Sequence, residues 1–173
     1  MHRALAPLLI FAFGCDDGTL SDRIQISLAG GETYVRMDLE PVTLTDVDNN
    51  IDVDVLFALD SVVEPAIPAS IVFTQYRVDY GLGDDPCDSD QQPPGENCAP
   101  YFASDAIDAT VIEGEVVSLS LRGAVEAQLD WVAARYTGNE FDVPARLSIA
   151  GLYDERIPVL GTFTYTATFA DYR

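Results

Sequence analysis

The side chains with most chemistry to offer alternate along TDVDNNIDVD: Asp46, Asp48, Asn50 and Asp52. Carboxylate and amide oxygens at i, i+2, i+4 and i+6 are hard ligands at the spacing calcium loops use. A helix-loop-helix calcium site would want glycine at the sixth loop position and a bidentate glutamate at the twelfth. Ile51 and Phe57 stand there, so that version is excluded. Two readings remain: a calcium loop of another kind, or an Asp-Asn turn entering a strand whose solvent face carries Asp52 and Asp54. Asp84, Asp85, Asp88 and Asp90 form a second, looser group of oxygens.

Other catalytic chemistry finds little material. The one histidine is His2, within a segment expected to be removed, so a Ser-His-Asp or Cys-His catalyst and a histidine-ligated zinc are excluded. There is no Gly-rich phosphate loop, no nucleophile elbow, and no lysine to activate. A glycosidase needs two facing carboxylates, but no spacing among the 29 acidic residues singles out a pair. A non-enzymatic protein is expected. The formal net charge is −20, with nine arginines as the only strong bases, and such a field repels phosphate backbones; nucleic acid is therefore excluded as a partner.

The chain opens MHRALAPLLIFAFGC: a short basic start, an apolar run over 4–13, then Gly14 and Cys15. The run is about half of what a spanning helix needs and contains Pro7, so it reads as a cleaved signal peptide. The Gly14-Cys15 end, followed by Asp16, Asp17, Gly18 and Thr19, resembles the lipobox of bacterial lipoproteins, with Ala12 where leucine is usual. That resemblance implies that the Cys15 thiol is diacylglycerylated and becomes the new N-terminus. Two or more acyl chains would hold even an acidic domain on a membrane. The other reading is an ordinary secretory signal with Cys15 as an early structural cysteine. Lipidation of Cys15 would leave Cys87 and Cys98 as an even pair, expected to be a disulfide in an exported protein. The expected organisation is a signal peptide over 1–14, a lipidated linker over 15–22 and one domain over 23–173.

The elements that must position these residues show a period of two, the mark of half-buried strands. Ile24, Ile26 and Leu28 alternate with polar residues, and so do Val35, Met37 and Leu39 beyond Gly30-Gly31; the two segments read as a hairpin. Ile51, Val53, Val55 and Phe57 form the next strand, and Val72, Tyr76, Val78 and Tyr80 one face of another. Segments 109–112 and 116–121 flank Glu113-Gly114-Glu115 as a second hairpin-like unit. Only 124–135 has helical spacing, through Val125, Leu129 and Val132. Leu147 and Ile149 belong to a further strand. Phe163, Tyr165, Ala167 and Phe169 then alternate with Thr162, Thr164, Thr166 and Thr168. Seven or eight strands with one short helical crossover predict an all-β, antiparallel two-sheet sandwich. The final LSIAGLYDERIPVLGTFTYTATFADYR resembles the last two strands of immunoglobulin-like or fibronectin-type domains of bacterial surface proteins. An immunoglobulin-like sandwich is what that resemblance implies.

The stretch GDDPCDSDQQPPGENCAP over 83–100 reads as a surface loop stapled by Cys87 and Cys98. Closing a ring of about 12 residues is worth about 3 kcal/mol in the chain-entropy model. Long loops on rigid scaffolds also carry recognition. These observations together predict a lipid-anchored, extracytoplasmic binding or structural module of the cell envelope, facing periplasm or cell surface. Its partners would be the membrane, through the lipid, and an envelope protein. The alternative is a calcium-dependent adhesion or carbohydrate-binding module; otherwise no cofactor is expected.

Overall fold

The computed structural model describes residues 18–39, 49–59, 68–81, 102–134 and 140–171, which form a two-sheet β-sandwich. A helical turn, α1 (Gly18–Ser21), precedes β1 (Ile24–Leu28), β2 (Tyr34–Asp38), β3 (Asn50–Phe57), β4 (Ser70–Tyr80), β5 (Phe102–Ile112) and β6 (Val116–Arg122). The helix α2 (Glu126–Ala133) then leads to β7 (Phe141–Tyr153) and β8 (Ile157–Ala170). One sheet has the order β1-β3-β6 and the other β2-β8-β7-β4-β5. Every pairing is antiparallel except that of β2 with β8.

The core follows from alternation, because successive side chains in a strand point to opposite faces. Ile51, Val53, Val55 and Phe57 of β3 are wholly buried, and Tyr165, Ala167 and Phe169 of β8 face them across the sandwich. The intervening Thr162 and Thr164 are exposed, while Thr168 is buried and its Oγ1 donates to Asp142 Oδ1 at 2.7 Å. The helical spacing of 124–135 becomes α2, with Leu129 and Val132 buried. Val125, just before the helix, has no side-chain acceptor; instead Gln128 Oε1 accepts from its N–H at 2.9 Å.

Three expectations are corrected. The segments flanking Gly30-Gly31 are no hairpin, since β1 pairs with β3 and β2 with β8 in the opposite sheet. Gly30 and Gly31 at φ 70 and 73 turn the chain there, but burial decides the partners. With β1 and β2 in facing sheets, the apolar sides of both, Ile24 and Leu28 on one and Val35 and Met37 on the other, reach one core. Likewise β5 and β6 flank the turn at Gly114 yet pair with β4 and β3, so this unit also passes between sheets.

The third correction concerns β4. Ile71 and Phe73 are fully buried with Tyr76, Val78 and Tyr80, whereas Val72 lies on the other face. A register shift between Phe73 and Gln75 adds a residue relative to β7 and inverts the alternation. Gly151 sits against this bulge. A Cβ there would strike the Val72 carbonyl and lie 2.9 Å from Phe73 Cα, so only glycine permits the approach.

Candidate functional site

Of the oxygen ligands expected near residue 50, the structure places Asn50 and Asp52 on β3, opposite Arg122 and Ser120 of β6. Both belong to the solvent side of the three-stranded sheet, where Asp54 Oδ1 accepts from Ser118 Oγ at 2.6 Å. Asp46 and Asp48 lie outside the described residues. So do Cys15, Cys87, Cys98, the leader and the loop over 83–100. Among the described residues no three His, Cys, Asp or Glu side chains gather as a metal site, and no helix is long and apolar enough to cross a membrane. Asn50 does line a cavity of about 580 Å³ with Glu126 and Asp130 of α2 and with Arg122. The neighbouring Asn49 has a structural task. At φ 57 and buried, it accepts from the Asp38 N–H at 2.6 Å and donates to the Asp38 carbonyl at 3.0 Å, tying the start of β3 to the end of β2.

The arrangement best suited to recognition is a groove of about 300 Å³ on the outer face of the five-stranded sheet. Beyond the bulge, β4 turns Gln75, Arg77 and Asp79 outward. Arg146, Ser148 and Ala150 of β7 and Leu160 and Thr162 of β8 complete the lining. The register sets Asp79 beside Arg146, Arg77 beside Ser148, and Ala150 beside Leu160. Arg77 Nε lies 2.6 Å from Asp79 Oδ1, and Arg146 Nη2 lies 3.6 Å from Asp79 Oδ2. Among the described residues, one carboxylate thus sits between two guanidinium groups, on a chain of net charge −20. The Arg146 side chain is 61% exposed, and the small Ser148 and Ala150 beside it leave its head accessible.

The other end of the groove is apolar. Ala150 and Leu160 form its floor, and the next outward residues, Leu152 and Val72, face each other beyond them. Along β7 the four steps from Arg146 to Ala150 span about 13 Å. The chemistry available is recognition: guanidinium forks match carboxylates bidentately, and an apolar pocket alongside fixes the orientation of what carries them.

The buried phenols lie elsewhere and act as donors. Tyr80 Oη donates to the Gly123 carbonyl at 2.6 Å, and Tyr165 Oη approaches Tyr80 Oη at 3.5 Å. Burial pushes both phenols well above the ordinary tyrosine range, so neither serves as a base near neutral pH. Tyr76 is raised for the same chief reason, reinforced by the Asp105 charge.

Sequence reasoning passed over Arg77, Asp79 and Arg146. Their signal was the rarity of cations in this chain combined with outward positions two apart, and the bulge in β4 hid it. Comparison with known proteins gives no match among family models, curated proteins or solved structures.

Proposed function

We propose that this chain is a lipid-anchored, extracytoplasmic, non-enzymatic module of the cell envelope that recognises a protein partner through the outer face of its five-stranded sheet. The observation carrying this reading is the groove in which Arg77 and Arg146 flank Asp79 at one end and Leu160 and Ala150 line the other. It suits a partner segment presenting a carboxylate and an apolar side chain within about 13 Å. Anchoring rests on the lipobox-like Gly14-Cys15 end. We also read the sandwich as immunoglobulin-like. In support, β1, β3 and β6 share one sheet in the order of strands A, B and E, while β8, β7 and β4 follow the order G, F, C in the other.

The test is site-specific photocrosslinking of the full chain in a bacterial envelope. A photoreactive residue at Thr162, in the groove, should capture a discrete partner, and one at Ser27 on β1, in the opposite sheet, should not. Capture should fail when Arg77 and Arg146 are both alanine. Equal capture from both faces, or capture indifferent to the arginines, refutes the reading. Labelled palmitate should mark the chain and be lost in Cys15→Ser.

The second reading, calcium-dependent adhesion or carbohydrate binding, draws on the cavity that Asn50 shares with Glu126 and Asp130. It requires the oxygens of Asp46, Asp48, Asn50 and Asp52 to converge on one ion.

A further inference from the structure

Both sheets change character along their strands. The outer face of the three-stranded sheet is polar at Asp52, Asp54, Ser118 and Ser120, but its outward pair nearest the β5–β6 turn is Leu56 beside Val116. On the outer face of the five-stranded sheet, Arg77, Asp79 and Arg146 give way to Val72 beside Leu152 and Leu152 beside Pro158. These apolar ends meet at one pole of the sandwich. The Gly114 N–H donates to the Phe57 carbonyl at 2.8 Å, the Asp154 N–H donates to the Ser70 carbonyl at 3.3 Å, and the Phe57 ring meets Tyr153 edge-on at 5.8 Å. Among the described residues five large hydrophobic side chains are exposed, and three of them, Val116, Leu152 and Ile157, are at this pole.

The chain leads out of the described residues beside the same pole. Ser21 Oγ accepts from the Leu160 N–H at 3.2 Å and Leu20 packs against the core, so α1 is fixed beside the first residues of β8. Three peptide steps separate Cys15 from Gly18, and three more cross α1. Together they reach at most about 15 Å from Ser21. The far end of β8, at Ala170, lies about 34 Å from Leu160. A lipid on Cys15 therefore holds this pole, and not the other, at the bilayer.

We infer that this pole is a membrane-docking surface, with Val116, Leu152 and Ile157 resting in the headgroup boundary of the bilayer that holds the Cys15 lipid. The inference rests on the anchoring reading above. Charge selects the lipid. Asp22, Glu113, Glu115, Asp154 and Glu155 outnumber Arg23 and Arg156 at this pole. Anionic headgroups repel such a surface, whereas the ammonium of phosphatidylethanolamine complements it, so the docked surface is zwitterionic. In this orientation the end of the groove bearing Arg77, Asp79 and Arg146 points away from the bilayer, open to a partner.

Fluorescence quenching of the lipidated full chain tests this, in phosphatidylethanolamine–phosphatidylcholine vesicles whose lipids carry a nitroxide at the headgroup boundary. A fluorescent residue at position 116, 152 or 157 should be quenched at least about threefold more than one at 34 or 141. Tyr34 and Phe141 are the matched controls, exposed to a similar degree at the far pole, where they pair with Thr166 and Phe169. Leu152→Asp with Ile157→Asp should bring quenching at 116 down to the far-pole value. Replacing the phosphatidylethanolamine with phosphatidylglycerol should weaken quenching at all three positions. Equal quenching at the two poles overturns the proposal, as does quenching at 116 indifferent to both changes. The palmitate label separates the two ideas. A chain without palmitate fails on anchoring and takes this inference with it, whereas a labelled chain quenched equally at both poles loses only the docking surface.

Discussion

The phenol of Tyr80 donates a 2.6 Å hydrogen bond to the carbonyl of Gly123, joining β4 to the point where the chain leaves β6 for α2. Tyr76, four residues earlier on the same inward face, does the same for the Arg122 carbonyl at 3.1 Å. Two successive carbonyls at the start of the crossover are thus held by one strand of the facing sheet. Tyr80 also packs edge-on against Phe169, with centroids 5.5 Å apart.

Tyr80→Phe keeps this packing and removes only the donor. The Gly123 carbonyl then loses a buried partner, which should lower unfolding free energy by about 1–3 kcal/mol. Tyr76→Phe, at a part-buried bond, should cost less. Chemical denaturation of both variants checks the order; a neutral Tyr80→Phe would contradict it.

Stability should fall in alkali. The phenols of Tyr80 and Tyr165 are raised in the fold above the ordinary value of 10.0. Their contribution is therefore complete below pH 10 and declines as pH rises, since the unfolded chain ionises first. Each such group lowers stability by about 1.4 kcal/mol per pH unit in that window. Melting temperatures from pH 8 to about 11 should show the decline, and Tyr165→Phe should flatten it.

Gly151→Ala should be among the costliest single changes. Its Cβ meets backbone of β4 at the bulge, which cannot yield as a side-chain end could. A loss of about 1–3 kcal/mol or more is expected from overpacking, read by denaturant midpoint. A loss within experimental error would show that the strands can part.

Arg146→Ala should separate binding from stability. The side chain is well exposed and its ion pair with Asp79 is long, so unfolding free energy should change by less than about 1 kcal/mol. Partner capture from Thr162 should nevertheless drop. A large loss of stability would mark the arginine as a structural element instead.

Calcium provides a direct ligand test. A site of micromolar affinity would add about 4 kcal/mol at a thousandfold excess of the ion. On the protein-recognition reading, melting in millimolar calcium, in magnesium and in EDTA should coincide. A calcium-specific rise would move Asp46, Asp48, Asn50 and Asp52 to the centre of the function.

Alternation made much of the fold legible. Period-two burial in 51–57 and 163–169 identified strands and their inward faces, because pleating alone sets which neighbours share a side. A helical spacing marked 124–135 as a short helix or irregular crossover, and the structure makes it α2, with Leu129 and Val132 buried. The charge inventory and the chemistry suggested by Gly14-Cys15 likewise belong to the linear chain.

Pairing and register were decided only in three dimensions. Gly30-Gly31 marks a turn, but nothing local says that β1 and β2 part into opposite sheets; burying both apolar faces in one core requires it. The bulge after Phe73 moved Val72 outward and aligned Gln75, Arg77 and Asp79 on one face. The meeting of Arg77 and Arg146 around Asp79 depends on a pairing between strands nearly seventy residues apart. Sequence carries the side-chain chemistry of each strand, while the joining of strands into a site comes from the free energy of closing one shared core.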